Sequence, residues 1–355
     1  MTAANLSNLK SQVVDLATQL GFDSCRVARC EPPAHAAEYR EWLREGSAGE
    51  MLWMERTEGK RCDPQSVLPG ACSMIVLALN YWQGGRPPSD QSAARGRIAR
   101  YAWGDDYHEL ISNKLDQIDA FLQTRGGVQK CYVDTGPILE RDYAAEAGIG
   151  WHGKSTMLLN TRLGTWFFLA EILTTLEFEP DLPQPTRCGT CTRCITACPT
   201  GAITAPHHLD SRRCISYLTI ELKGAIPLEF RPLIGDRIYG CDDCLDACPW
   251  NRFAEASRES AFAARPSTTG MALRDYLELN DEQFRSLFRL SPIKRIKRRG
   301  FLRNVCVALG NVGDVDDLPA LEKAACDPEP LIAEHAAWGI GRIRERMKIT
   351  AGQIS

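Results

Sequence analysis

The run "RCGTCTRCITACPTGAI", Arg187 to Ile203, constrains this chain more than any other stretch. Cys188, Cys191, Cys194 and Cys198, with Pro199 after the last, spell C-x2-C-x2-C-x3-C-P. In this bacterial ferredoxin spacing three thiolates hold one [4Fe–4S] cluster and the fourth reaches the other. The short spacings let the loop wrap one cubane. Four cysteines this close do not suit a zinc knot, which uses two separated C-x2-C pairs.

A second run, "YGCDDCLDACPWN", supplies Cys241, Cys244 and Cys248, followed by Pro249. Aligned on the final C-P it is the same motif with Ile238 where the first cysteine would stand. Two cubanes need eight thiolates and the two runs give seven. Cys214 in "SRRCISYL", between the motifs, is the candidate for the eighth; its other reading is a small buried hydrophobe. With the crossover of two-cluster ferredoxins, Cys188, Cys191, Cys194 and Cys248 hold one cluster. Cys198, Cys214, Cys241 and Cys244 hold the other. Cys25, Cys30, Cys62, Cys72, Cys131, Cys306 and Cys326 lack ligand spacing and are expected to be structural.

Fifteen cysteines in a chain without a signal-like start favour metal ligation over disulfides. The opening "MTAANLSNLKSQVVDLATQLGF" is amphipathic, with no basic start and no apolar core, which predicts a cytoplasmic protein. No run of about 18 apolar residues predicts a membrane span. Two adjacent clusters make a one-electron wire, and a wire implies an acceptor elsewhere in the chain.

Leu6, Leu9, Val13, Leu16 and Leu20 fall at helical spacing. "SMIVLALNYW" (Ser73–Trp82) reads as a buried strand and His108–Gly127 as an amphipathic helix. "KCYVD" (Lys130–Asp134) is a short strand running into the turn "TGP", and Thr165–Phe178 is a further strand. This alternation predicts an α/β domain over residues 1–180. After the proline-rich Glu179–Thr186 linker, a ferredoxin-like domain is expected over 181–265 and a helical region over 266–355. In the last, "LRNVCVALGNVGD" and "AEHAAWGIGRIRE" superpose at a 31-residue offset. They suggest a pair of HEAT-like repeats, the alternative being two unrelated amphipathic helices.

Asp134 stands at the C-terminal end of its strand, where α/β folds tend to place their chemistry. Gly148, Gly150 and Gly153 would let the backbone approach a bound group. No G-x-G-x-x-G and no P-loop appears, so the residues alone specify a cofactor site without its type. "SPIKRIKRRGFLRN" carries Lys294, Arg295, Lys297, Arg298, Arg299 and Arg303 with no acid, in a chain of net charge −3. Such a run neutralises phosphates or is simply a solvated helix face.

The segments "VDTGPILERDYAAEAGIGWHGK", Cys188–Pro199, "RCISYLTIELKG" and "IGDRIYGCDDCLDACPWN", together with the helical C-terminus, resemble the epoxyqueuosine reductases over nearly the whole chain. The resemblance implies a cobalamin-binding α/β domain related to that of the corrinoid reductive dehalogenases. It also implies two [4Fe–4S] clusters and a C-terminal tRNA-binding tail. The reaction would be reduction of the epoxide of epoxyqueuosine to queuosine at the wobble position of tRNA, by a monomer fed from an external electron donor. Asp134 would be the proton donor. A free Asp has a pKa of roughly 3.9, so burial against the corrin would have to raise it. Its other reading is a cap of the turn "DTGP".

By position in the matching motifs, the resemblance assigns cobalamin contacts to Arg61, Asp134, Leu158, Leu169, Ser216, Cys241 and Asp242. His152 is read as a lining or surface residue rather than a cobalt ligand. Lys223 and Arg231, close in sequence to the cluster region, would join the basic run in gripping the anticodon loop, with the modified base splayed out. An alternative function, a corrinoid reductive dehalogenase acting on a small organohalide, keeps both cofactors and leaves the basic run unused. A bare electron carrier leaves Asp134 without a purpose.

Overall fold

The computed structural model describes residues 3–85 and 93–352. The strands in chain order are β1 Ser24–Arg29, β2 Ser73–Asn80, β3 Arg97–Ile98, β4 Gln129–Tyr132, β5 Trp151–His152, β6 Leu158–Leu159, β7 Phe167–Thr174, β8 Ile203–Ala205, β9 His208–Leu209 and β10 Arg237–Tyr239. All eight residues of β2 are buried. Successive strand side chains point to opposite faces, and here both faces are covered. Ile75, Leu77 and Leu79 enter one core with Leu9 and Val13 of the Ala3–Gln19 helix and Ile111 and Leu115 of the Tyr107–Gln123 helix. Met74, Val76 and Ala78 enter a second core with Tyr143 and Ala144 of the Glu140–Glu146 helix. Burial on both sides explains why the run is continuously apolar rather than alternating.

The main sheet has the order β1-β2-β7-β4, and every neighbouring pair is antiparallel. Helices and strands alternate along the chain as expected, and the sheet they form is antiparallel. Alternation reports which element comes next and not the direction in which a strand returns. The rule that places chemistry at parallel strand ends therefore does not apply. Asp134 nevertheless lies just past the end of β4.

β3 pairs in parallel with β10 and ties the N-terminal half to the cysteine region. A third core joins Leu273, Tyr276, Phe288, Phe301 and Leu309 to Ile98, Ala102 and Trp103. The segment around Trp103 thus crosses into the C-terminal core, and the divisions read from the sequence do not coincide with separate cores. The two repeat-like segments lie in the helices Lys297–Val312 and Pro330–Gly352, which pack together. A Cβ at Gly310 would stand 2.7 Å from the Trp338 ring and 2.8 Å from Gly339 Cα, so glycine permits the close crossing. Among the described residues no helix is long and apolar enough to cross a membrane.

Candidate functional site

The fold brings together the four thiols of each expected set. Cys188, Cys191, Cys194 and Cys248 line one solvent-open cavity, with Lys154, Arg187 and Trp250. Cys198, Cys214, Cys241 and Cys244 gather at a second place. Burial, followed by the charges of Cys214, Cys241 and Cys198, pushes the Cys244 thiol well up. Cys214 in turn feels Cys198. Ile238 is fully buried in the third core, so the site of the absent cysteine is a packing position.

Asp134 adopts a left-handed backbone, φ 59°, in the turn after β4. The Tyr107 hydroxyl donates to Asp134 Oδ2 at 2.7 Å, and His108 Nε2 lies 3.6 Å from the same oxygen. Tyr107 opens a helix capped by Asp106, whose carboxylate also holds His108 Nδ1 at 2.7 Å. Burial pushes the Asp134 carboxyl up, but the hydrogen bonds of His108 and Tyr107 and the nearby charges of His108 and Arg295 outweigh it and hold the group below its ordinary value. The imidazole of His108 responds in the other direction. Burial lowers it, and Asp106 and Asp134 more than compensate, to about 9. Protein groups lie around Asp134, yet 52% of its side-chain surface is exposed.

Arg61 braces this turn from behind. Its Nη1 donates to the Ile138 carbonyl at 3.0 Å and its Nε to Thr57 Oγ1 at 2.9 Å. Leu158 is buried in β6, Leu169 is half-buried on β7, and Ser216 is half-buried beside Cys214. The Asp242 carboxylate is buried and committed to Arg100, accepting from its backbone at 2.9 Å and its guanidinium at 3.3 Å. His152 Nε2 sits 3.0 Å from Asp142 Oδ1, which His35 Nδ1 also approaches at 2.9 Å. The glycines near it stand in close contact with other parts of the backbone. A Cβ at Gly148 would stand 2.2 Å from the Leu182 carbonyl oxygen, and one at Gly150 would stand 2.0 Å from that of Leu159.

The basic residues divide. Lys223, Lys294, Arg295, Lys297 and Arg299 are exposed. Arg295 pairs with Glu221 at 2.6 Å and also reaches Asp134 with its charge. Arg298 is spent on Asp327 and on the Leu279 carbonyl, at 2.6 Å. Arg303 and Arg231, expected to contact nucleic acid, are 1% and 2% exposed. Arg303 donates to the carbonyls of Leu218, Leu222 and Gly224, and Arg231 to Ile226 and Glu334. Buried this deeply and engaged within the protein, neither guanidinium is presented to a phosphate at the surface.

Tyr107, His108, Glu140 and Glu171 were missed in the sequence. An acid inside the apolar strand "FFLAEILT" was the one available signal.

Residues 61–135 match the family model described as epoxyqueuosine reductase QueG, DUF1730. Residues 187–251 match a 4Fe-4S double cluster binding domain. An epoxyqueuosine reductase of Xanthomonas campestris is 41% identical over 341 residues, covering 94% of this chain and 95% of that protein. A crystal structure of epoxyqueuosine reductase with a tRNA-Tyr epoxyqueuosine-modified stem loop matches with a TM-score of 0.88 at 33% identity, covering 95% of this chain and 91% of that one. The Bacillus subtilis epoxyqueuosine reductase, solved with its Asp134 catalytic loop swung out of the active site, matches with a TM-score of 0.87 at 32% identity and the same coverage.

Proposed function

The chain belongs to the epoxyqueuosine reductase family, and on that premise we propose that it reduces the epoxide of epoxyqueuosine, at the wobble position of a tRNA, to the cyclopentene of queuosine. The observation that carries this reading is the meeting, in one chain, of two four-thiol sets with a half-exposed carboxylate held by proton donors. The reaction takes up two electrons and two protons, breaks both C–O bonds of the epoxide, forms a C=C bond and releases water.

Cys188, Cys191, Cys194 and Cys248 would hold one [4Fe–4S] cluster, and Cys198, Cys214, Cys241 and Cys244 the second, and the pair would supply one-electron transfer from an external donor. The surroundings of Asp134 suit a bound cofactor, because a half-exposed carboxylate stands there with Tyr107, His108 and Arg295 beside it. Cobalamin, when bound, supplies low-valent cobalt as the reductant of the epoxide. Arg61 steadies the turn that follows Asp134, while Leu169, Ser216 and Cys241 would contribute contacts to the cofactor.

Asp134 delivers a proton to the departing oxygen. In the open site it is ionised, and His108 beside it is protonated at neutral pH. Covering the site takes the exposed half of Asp134 out of water, which raises its pKa and draws the proton across from His108. Tyr107 holds the receiving oxygen in place. Lys223, Lys294, Lys297 and Arg299 bind tRNA phosphates, and Arg295 stands beside Asp134. The Lys297–Val312 and Pro330–Gly352 helices form a HEAT-like pair behind this face. The dehalogenase reading leaves these exposed cations without a partner. The test is anaerobic turnover of epoxyqueuosine-containing tRNA with a chemical reductant, comparing wild type with Asp134→Asn. A cobalamin-loaded Asp134→Asn enzyme at the native rate would refute the acid role.

A further inference from the structure

Glu171 lies in the middle of β7, fully buried, opposite Val76 of β2 on one side and Tyr132 of β4 on the other. Strand alternation puts it on the same face as Leu169 and Leu173, the face covered by the Glu140–Glu146 helix. The first residue of that helix, Glu140, meets it there. Written as two carboxylates, the pair has no donor between its members. Both oxygens of Glu171 and Oε1 of Glu140 are then shut from solvent without a hydrogen-bond partner.

The cationic surroundings are too thin to offset two charges: among the described residues Arg141 is the one cation that acts on Glu140, and none acts on Glu171. Glu171 feels Glu140 and Asp134, both acids. Glu140 feels Asp134, opposed by Arg141 and by the Asp134 main-chain amide. The other titratable neighbours are Tyr132, across the ladder, and Tyr107, which bridges to Asp134. Buried carboxylates in contact cannot both stay ionised. A single proton between them turns an orphaned contact into a charge-assisted hydrogen bond.

We propose that Glu140 and Glu171 retain a shared proton beneath the Asp134 turn and act as a positioning pair for the Asp134 carboxyl. The inference rests on the reading of Asp134 as the acid. Burial, then the neighbouring carboxylates, raises both groups, so the proton stays in the neutral range. The pair meets the turn through the Asp134 amide, and Arg61 pins the following Ile138 carbonyl. A left-handed aspartate needs such support. Full ionisation would set three carboxylates against one another and push the turn outward.

Two measurements on the loaded enzyme test this. Infrared spectroscopy of the wild type at pH 7 to 8 should show the band of a protonated carboxyl group, and Glu140→Gln/Glu171→Gln should lack it. In kinetics, Glu140→Leu/Glu171→Leu should lower kcat by about tenfold with KM for tRNA unchanged. The Gln pair, which keeps the hydrogen bonds, should recover most of that loss. Absence of the band in the wild type, its persistence in the Gln pair, or native kcat in the Leu pair overturns the proposal. A native-rate Asp134→Asn alongside the expected infrared result would remove the acid role and leave the shared proton standing.

Discussion

Tyr107 Oη and Asp134 Oδ2 are 2.7 Å apart, and the oxygen that receives this bond is also the one that His108 approaches, at 3.6 Å. One carboxylate oxygen therefore collects both proton-bearing neighbours. Replacing Asp134 with Asn keeps the shape and removes the transferable proton, so kcat should fall by about 10²–10⁴-fold while cobalamin still binds. Tyr107→Phe should cost less, because it loosens the oxygen without removing the acid. Single-turnover kinetics on modified tRNA would separate the two.

The His108 imidazole, raised to about 9, predicts a pH dependence with a definite sign. Its folded value lies above the ordinary one, so the stability it adds is fully present below about 6.5 and is lost as pH rises through about 9. Turnover should decline over the same alkaline range as the proton source empties. His108→Gln should flatten both effects in thermal melts and in the pH–rate profile; unchanged profiles would detach His108 from Asp134.

Cys214 carries the count of eight thiolates. Cys214→Ser should reduce bound iron from eight atoms to about four and alter the electron paramagnetic resonance of one cluster. Cys326→Ser, at an exposed cysteine outside both sets, should leave iron content intact. Full iron in Cys214→Ser would mean that another residue completes the second set.

The basic residues make opposite predictions. Lys294→Glu, Lys297→Glu and Arg299→Glu should weaken tRNA binding and lower the salt slope by about one for each lost phosphate contact. Arg303→Met should instead destabilise the fold by about 3 kcal/mol, since it strands the carbonyls of Leu218, Leu222 and Gly224. Filter binding at several salt concentrations and a thermal melt distinguish surface from core.

Much of this was legible in the chain because spacing alone dictates it. Ligand spacing in Cys188–Cys198 and Cys241–Cys248, and the unbroken apolar run of β2, are local patterns that translate directly into local geometry. The antiparallel sheet was not legible, since strand direction depends on how distant segments return. Arg303 and Arg231 were misread because a cation has the same letter whether it meets water or a ring of carbonyls. The lowered Asp134 carboxyl was hidden for a related reason: its partners, Tyr107 and His108, come from a helix that only the fold brings beside it.

The central claim is the reaction. Cobalamin-loaded enzyme with both clusters, incubated anaerobically with a chemical reductant and epoxyqueuosine-containing tRNA, should convert the modified nucleoside to queuosine with release of water, as read by mass spectrometry of the digested tRNA. Unchanged epoxyqueuosine, with clusters and cobalamin shown spectroscopically to be reduced, would contradict it.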